Sequence, residues 1–71
     1  MILKILTHDR GNSDVWNWYD GVTSASAYYD DNAKLPVVAV RFKDADVDVV
    51  IALTEEAYLC NDEGRTIDRL L

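Results

Sequence analysis

Residues Pro36 to Leu53, PVVAVRFKDADVDVVIAL, constrain this chain more than any other stretch. Val38, Val40 and Phe42 alternate with polar or small residues, and so do Val47, Val49, Ile51 and Leu53. A period of two is the mark of a half-buried strand. Between the two runs lie Lys43, Asp44, Ala45 and Asp46. A four-residue loop there predicts Phe42 opposite Val47, Val40 opposite Val49, Val38 opposite Ile51 and Pro36 opposite Leu53. All four pairs then share one face, because a slip of one residue would turn every apolar side chain outward. The second face carries Val37, Ala39 and Arg41 against Asp48, Val50 and Ala52. It is apolar enough to predict partial cover, and so a position inside a sheet.

The remaining segments read as further short strands. Ile2 to Thr7 has Leu3 and Ile5 on one side and Lys4 on the other. A polar loop follows from His8 to Asp14, then a strand over Val15 to Tyr19. Asp20-Gly21 is a two-residue turn signal, and Val22 to Tyr29 forms the next strand, weakened by its run of Ser and Ala. Residues 30–34 are a loop. After Leu53 two readings stand. Thr54 followed by Glu55 and Glu56 suits a helix start. Ala57 to Cys60, the turn Asn61-Asp62-Glu63-Gly64 and Arg65 to Asp68 suit a hairpin. The hairpin is preferred, since a helix would have about two turns before Gly64, a marginal length. The predicted fold is all-β: residues 1–71 form one antiparallel meander of six to seven short strands, curling into a barrel-like or strongly bent sheet. The alternative is α+β with a short helix starting at Thr54.

At 71 residues the chain is a single domain. A chain of this size hides only about 60% of its unfolded surface. Its longest apolar run, Val49 to Leu53, is far too short for a membrane span. The first residues, MILKILTH, lack the long apolar region of a signal peptide. A single cysteine, Cys60, allows no internal disulfide and no cysteine-based zinc site. A cytoplasmic location and no cofactor are therefore expected. The net charge of −6 is high for 8.0 kDa. It argues against direct nucleic-acid or membrane binding and favours a basic protein partner.

Few residues carry chemistry. Asp44, Asp46, Asp48 and Glu55 partly match a calcium loop, but the sixth position is Val49 where that loop needs Gly, and its flanks are strands. An acidic hairpin tip is the simpler account, and no metal is expected. His8 and Cys60 belong to no catalytic motif, so no enzyme is expected. The dense aromatic segment Trp16, Trp18, Tyr19, Tyr28 and Tyr29 has two readings. In a domain this small, Trp16 and Trp18 are expected first as core. Alternation sends Tyr28 and Tyr29 to opposite faces, leaving one exposed. As a surface, Trp16, Trp18, Tyr19, Asp20, Tyr28, Tyr29, Asp30 and Asp31 form the candidate partner-binding set: aromatic anchors with an acidic rim.

Three functions follow in order. The first is an interaction module, an inhibitor or adaptor for a basic surface, of the compact acidic kind that phages and mobile elements encode. The second is an assembly protein pairing with its own copies through an open edge at Ile2 to Thr7 or Thr66 to Leu71, where Leu70 and Leu71 are available for contact. A small-ligand binder comes last, because the interior volume is too small.

Overall fold

The computed structural model describes residues 1–8, 11 and 13–71. Of the polar loop expected at His8 to Asp14, Asp9, Arg10 and Asn12 lie outside the described residues. Seven strands are present among the described residues: β1 (Ile2–His8), β2 (Asp14–Tyr19), β3 (Val22–Asp30), β4 (Leu35–Phe42), β5 (Val49–Ala52), β6 (Ala57–Cys60) and β7 (Thr66–Arg69). They form two antiparallel sheets, a four-stranded one in the order β2-β1-β6-β7 and a three-stranded one in the order β3-β4-β5.

The sheets share one core. Leu3, Ile5, Ala57 and Leu59 come from the first, Val22, Val38 and Val40 from the second, and Leu53 from the connection between them. Met1, Tyr19, Ala25, Phe42, Ile51 and Leu70 pack around this cluster. The central hairpin has the register its alternation dictates: Val38 lies opposite Ile51 and Val40 opposite Val49. The Leu53 N–H donates to the Pro36 carbonyl at 2.9 Å, which keeps that pair in phase.

The connection between the hairpin strands differs from the expected four-residue loop. The Ala45 N–H closes a turn on the Phe42 carbonyl, with Asp44 at φ 69°. Phe42 pairs instead with Val22, and the Lys43 N–H donates to Gly21. The ladder therefore opens after Val40–Val49, and Val47 is left exposed. The pair is also not interior, because β5 is an edge strand. Partial cover of the second face does occur, as Val37 on that face is buried.

The sheets are neither closed nor strongly curled, so the barrel-like meander is replaced by two open sheets. Two departures from sequential pairing explain this. β1 pairs with β6, more than fifty residues later, through Leu3–Leu59 and Ile5–Ala57. Asp20-Gly21 is a corner between sheets and not a hairpin turn, since β2 and β3 belong to different sheets. Gly21 takes φ 72° there, and Met1 and Val22 exchange both backbone hydrogen bonds at 2.9 Å beside it.

The segment after Leu53 is a bend followed by strand β6, not a helix. Its hairpin to β7 has the expected turn, with Gly64 at φ 88°. Ile2 to Thr7 is not an open edge, because β1 is paired on both sides. β7 does lie at an edge. Leu70 is packed on the core, whereas Leu71 is tied to Ala57 through its backbone and keeps its side chain exposed.

Candidate functional site

Register decides which side chains meet on the outer face of the four-stranded sheet. Lys4 lies opposite Trp18 on one flank and opposite Tyr58 on the other, while Leu6 lies opposite Trp16. Tyr58 in turn lies opposite Arg69. Directly opposed residues of an antiparallel pair share a face. Lys4, Trp16, Trp18, Tyr58 and Arg69 therefore form one surface.

The contacts follow from that placement. The Lys4 Nζ sits 4.2 Å from the Trp16 ring centre, 5.1 Å from that of Trp18 and 6.0 Å from that of Tyr58. The Arg69 guanidinium is 5.9 Å from the Tyr58 ring, and Trp16 and Tyr58 lie 6.1 Å apart at 39°. Each cation over a ring face at such an exposed site is worth about 0.5–1 kcal/mol. Lys4 thus holds the aromatic rings in place. Leu6 is buried on this face although it lies outside the shared core, with Trp16 as its cross-strand neighbour.

Acids border the surface. The Tyr58 hydroxyl donates to Glu56 Oε1 at 2.5 Å. That hydrogen bond raises the Tyr58 pKa above the usual tyrosine value; desolvation and the Glu56 charge add to it, and Arg69 opposes it. At the end of β1, His8 Nδ1 lies 2.8 Å from Asp14 Oδ1 and Nε2 lies 3.3 Å from Glu55 Oε1. The imidazole thereby links β1, β2 and the segment before β6. Cys60 is buried beside Ile2, at the opposite end of β1 and about 20 Å away at strand rise. His8 and Cys60 therefore cannot act together. Asp48 is turned to Arg41 at 2.8 Å and Glu55 to His8, so the acids of the calcium-like spacing face different partners.

Trp16 and Trp18 are surface residues, 38% and 53% exposed, and not core as expected. The reason is topological: β2 is an edge strand whose inner face is taken by Asn17 and Tyr19, opposite Ile5 and Leu3. Tyr19 packs on the core with its ring 6.4 Å from Phe42. Asp20 is exposed at the sheet corner. Tyr28 and Tyr29 are both exposed, not one of the two, because β3 is an edge strand of the other sheet. Asp30 accepts from the Asn32 and Ala33 N–H groups and shapes the β3–β4 turn, beside exposed Asp31. The eight candidate residues therefore divide. Trp16, Trp18, Tyr19 and Asp20 belong to the four-stranded sheet and its corner, with Tyr19 turned to the core, while Tyr28, Tyr29, Asp30 and Asp31 belong to the other sheet. Lys4, Tyr58 and Arg69 were not among the candidates. Alternation in Ala57-Tyr58-Leu59 does turn Tyr58 away from the core, but only the distant β1–β6 pairing brings it to the tryptophans.

No pocket and no cluster of three or more potential metal ligands is present among the described residues. Comparison with known proteins gives no match to a family model, a curated protein or a solved structure.

Proposed function

We propose that this protein is a small acidic interaction module, an inhibitor or adaptor, whose working surface is the outer face of the four-stranded sheet. The observation that carries this reading is the pair of half-exposed rings, Trp16 and Trp18, standing side by side and braced by Lys4. Large rings with few internal freedoms are the residues that most often dominate a protein interface. The partner is a basic protein with an apolar recess for the two rings. Its Lys and Arg side chains meet Asp14, Asp20, Glu55 and Glu56 at the rim, and the net charge of −6 steers the encounter.

The test is affinity capture from the native host, run in parallel with the natural chain and with Trp18→Ala. A partner that is retained by the natural chain, released by added salt and lost with Trp18→Ala is the expected result. Among the described residues Trp18 makes no ring contact with another aromatic and is half exposed, so its removal should leave the fold intact. Recovery of no partner, or equal recovery by the variant, rules the reading out.

A further inference from the structure

We infer that β5 is a docking edge for an extended polypeptide segment, one with a short β-branched apolar centre and Lys or Arg at both ends. This is a second surface, the edge of the other sheet; it borders the aromatic face at Glu55 and Glu56 but does not depend on binding there.

Four strands lie at sheet edges: β2, β7, β3 and β5. Natural edges are blunted by charge, proline or bulges, because unpaired backbone groups recruit further strands. β2 begins at Asp14 and carries two tryptophans, β7 contains Asp68 and Arg69, and β3 has a register break between Val22 and Ser24 and ends at Asp30. β5 is Val-Val-Ile-Ala, with no charge, proline or register break. Val49 and Val50 point to opposite faces, and both are exposed, at 44% and 54%.

The phase of the ladder identifies which groups are open. The Leu53 N–H bonds to the Pro36 carbonyl. In an antiparallel ladder the residues that bond to the neighbour alternate. Val49 and Ile51 are in phase with Leu53 and turn their N–H and C=O groups to β4. Val50 and Ala52 turn theirs away from the sheet.

Charge selects the occupant. Residues 44–64 contain no Lys, Arg or His, and β5 is flanked by Asp44, Asp46 and Asp48 before it and by Glu55 and Glu56 after it. Asp48 is engaged with Arg41, Glu55 with His8 and Glu56 with the neutral Tyr58 hydroxyl, which leaves the Glu56 charge in place, so Asp44 and Asp46 on one flank and Glu56 on the other keep both negative. A second copy of this chain is the wrong occupant. Antiparallel self-pairing sets the Asp flank of one copy against the Glu flank of the other, and parallel self-pairing sets each flank against itself. A strand with basic ends meets opposite charge at both flanks and apolar neighbours on both faces. Recognition of this kind takes its affinity from main-chain bonds and its specificity from flanking side chains.

The probe is a synthetic peptide with Val-Thr-Val-Val between two pairs of lysines, added to the isotope-labelled full chain. Amide exchange at Val50 and Ala52 is expected to slow, with no change along β2, β3 or β7, and affinity is expected to fall as salt is added. Val50→Pro removes one outward N–H at an edge position that tolerates proline. It should keep the native melting transition and weaken binding by at least about tenfold. Should that variant fail to fold, Val50→Lys, which puts a like charge against the peptide, should do the same. Equal binding of the peptide with glutamates in place of its lysines overturns the inference. So does protection at another edge, or a dimer of the chain that Val50→Pro returns to monomer.

Discussion

At the scale of the residue, Tyr58 shows how one side chain records a non-local arrangement. Its ring sits between Lys4 and Arg69, and its hydroxyl is held by Glu56. The hydrogen bond to Glu56 is the main cause of its raised pKa. A phenol whose pKa is higher in the folded state adds stability that is whole below the unfolded pKa of about 10 and is lost as pH rises through the folded value. The natural chain should therefore lose stability above about pH 10 more steeply than Tyr58→Phe, which has no such proton to lose. Thermal melts at a series of alkaline pH values check this, with ultraviolet titration of the phenol as the direct reading. Parallel curves for the two proteins would show that the Glu56 contact does not persist in solution. The position of Tyr58 on the outer face was legible in Ala57-Tyr58-Leu59. Its neighbours were not, because no local pattern specifies a partner strand more than fifty residues away.

At the scale of the element, hairpins were legible and sheets were not. The Val38–Ile51 and Val40–Val49 pairs follow from alternation together with the short connection, since a slip of one residue would bury Asp48 and expose Val38. The β6–β7 hairpin was legible for a different reason, the chemistry of its turn. Asn61 organises that turn: its side-chain oxygen accepts from the N–H groups of Glu63 at 3.0 Å and Arg65 at 2.9 Å. Its backbone exchanges further bonds with Arg65 and Gly64. Asn61→Ala leaves two backbone donors without this acceptor. It should cost about 1 kcal/mol, a fall in melting temperature of about 4–8 °C for a domain of this size. Asn61→Asp, which retains an acceptor oxygen, should recover most of that loss, and calorimetry of the two variants separates the cases. Sheet membership had no comparable signal. The Asp20-Gly21 turn reads the same whether it joins paired strands or turns a corner. The choice is made by Met1 and Phe42, which take the two sides of Val22. The exposure of Trp16 and Trp18 follows from that choice, because it leaves β2 at an edge with one face turned outward.

At the scale of the molecule, a thin core and a large charge act against each other. The protein measures 33 × 29 × 19 Å and exposes 4880 Å². A folded monomer of 8.0 kDa exposes about 4,450 Å² by the usual scaling. The excess of roughly 400 Å² is about half of what one partner buries in a standard interface, and it belongs to a flat two-sheet body with apolar groups on its outer faces. Stability on the usual per-residue scale is about 4–10 kcal/mol for 71 residues. Self-repulsion from a net charge of −6 is then a sizeable fraction of the total, concentrated in residues 44–64, where seven acids and no base occur. Neutral salt screens that repulsion over about 8 Å at physiological ionic strength. It also weakens the exposed Arg41–Asp48 pair, but such a pair is worth at most about 1 kcal/mol. The repulsion is the larger effect because it sums over many acids while the opposite-charge contacts among the described residues are few. Raising sodium chloride from a few millimolar to physiological strength at neutral pH should therefore raise the melting temperature by about 2–4 °C, equivalent to roughly half a kcal/mol. Lowering the pH toward the isoelectric point of about 4.4 should make the same addition of salt nearly without effect, because the net charge it screens has gone. A melting temperature that falls with salt at neutral pH would mean that individual ion pairs, and not the summed negative field, set the electrostatic balance of this fold.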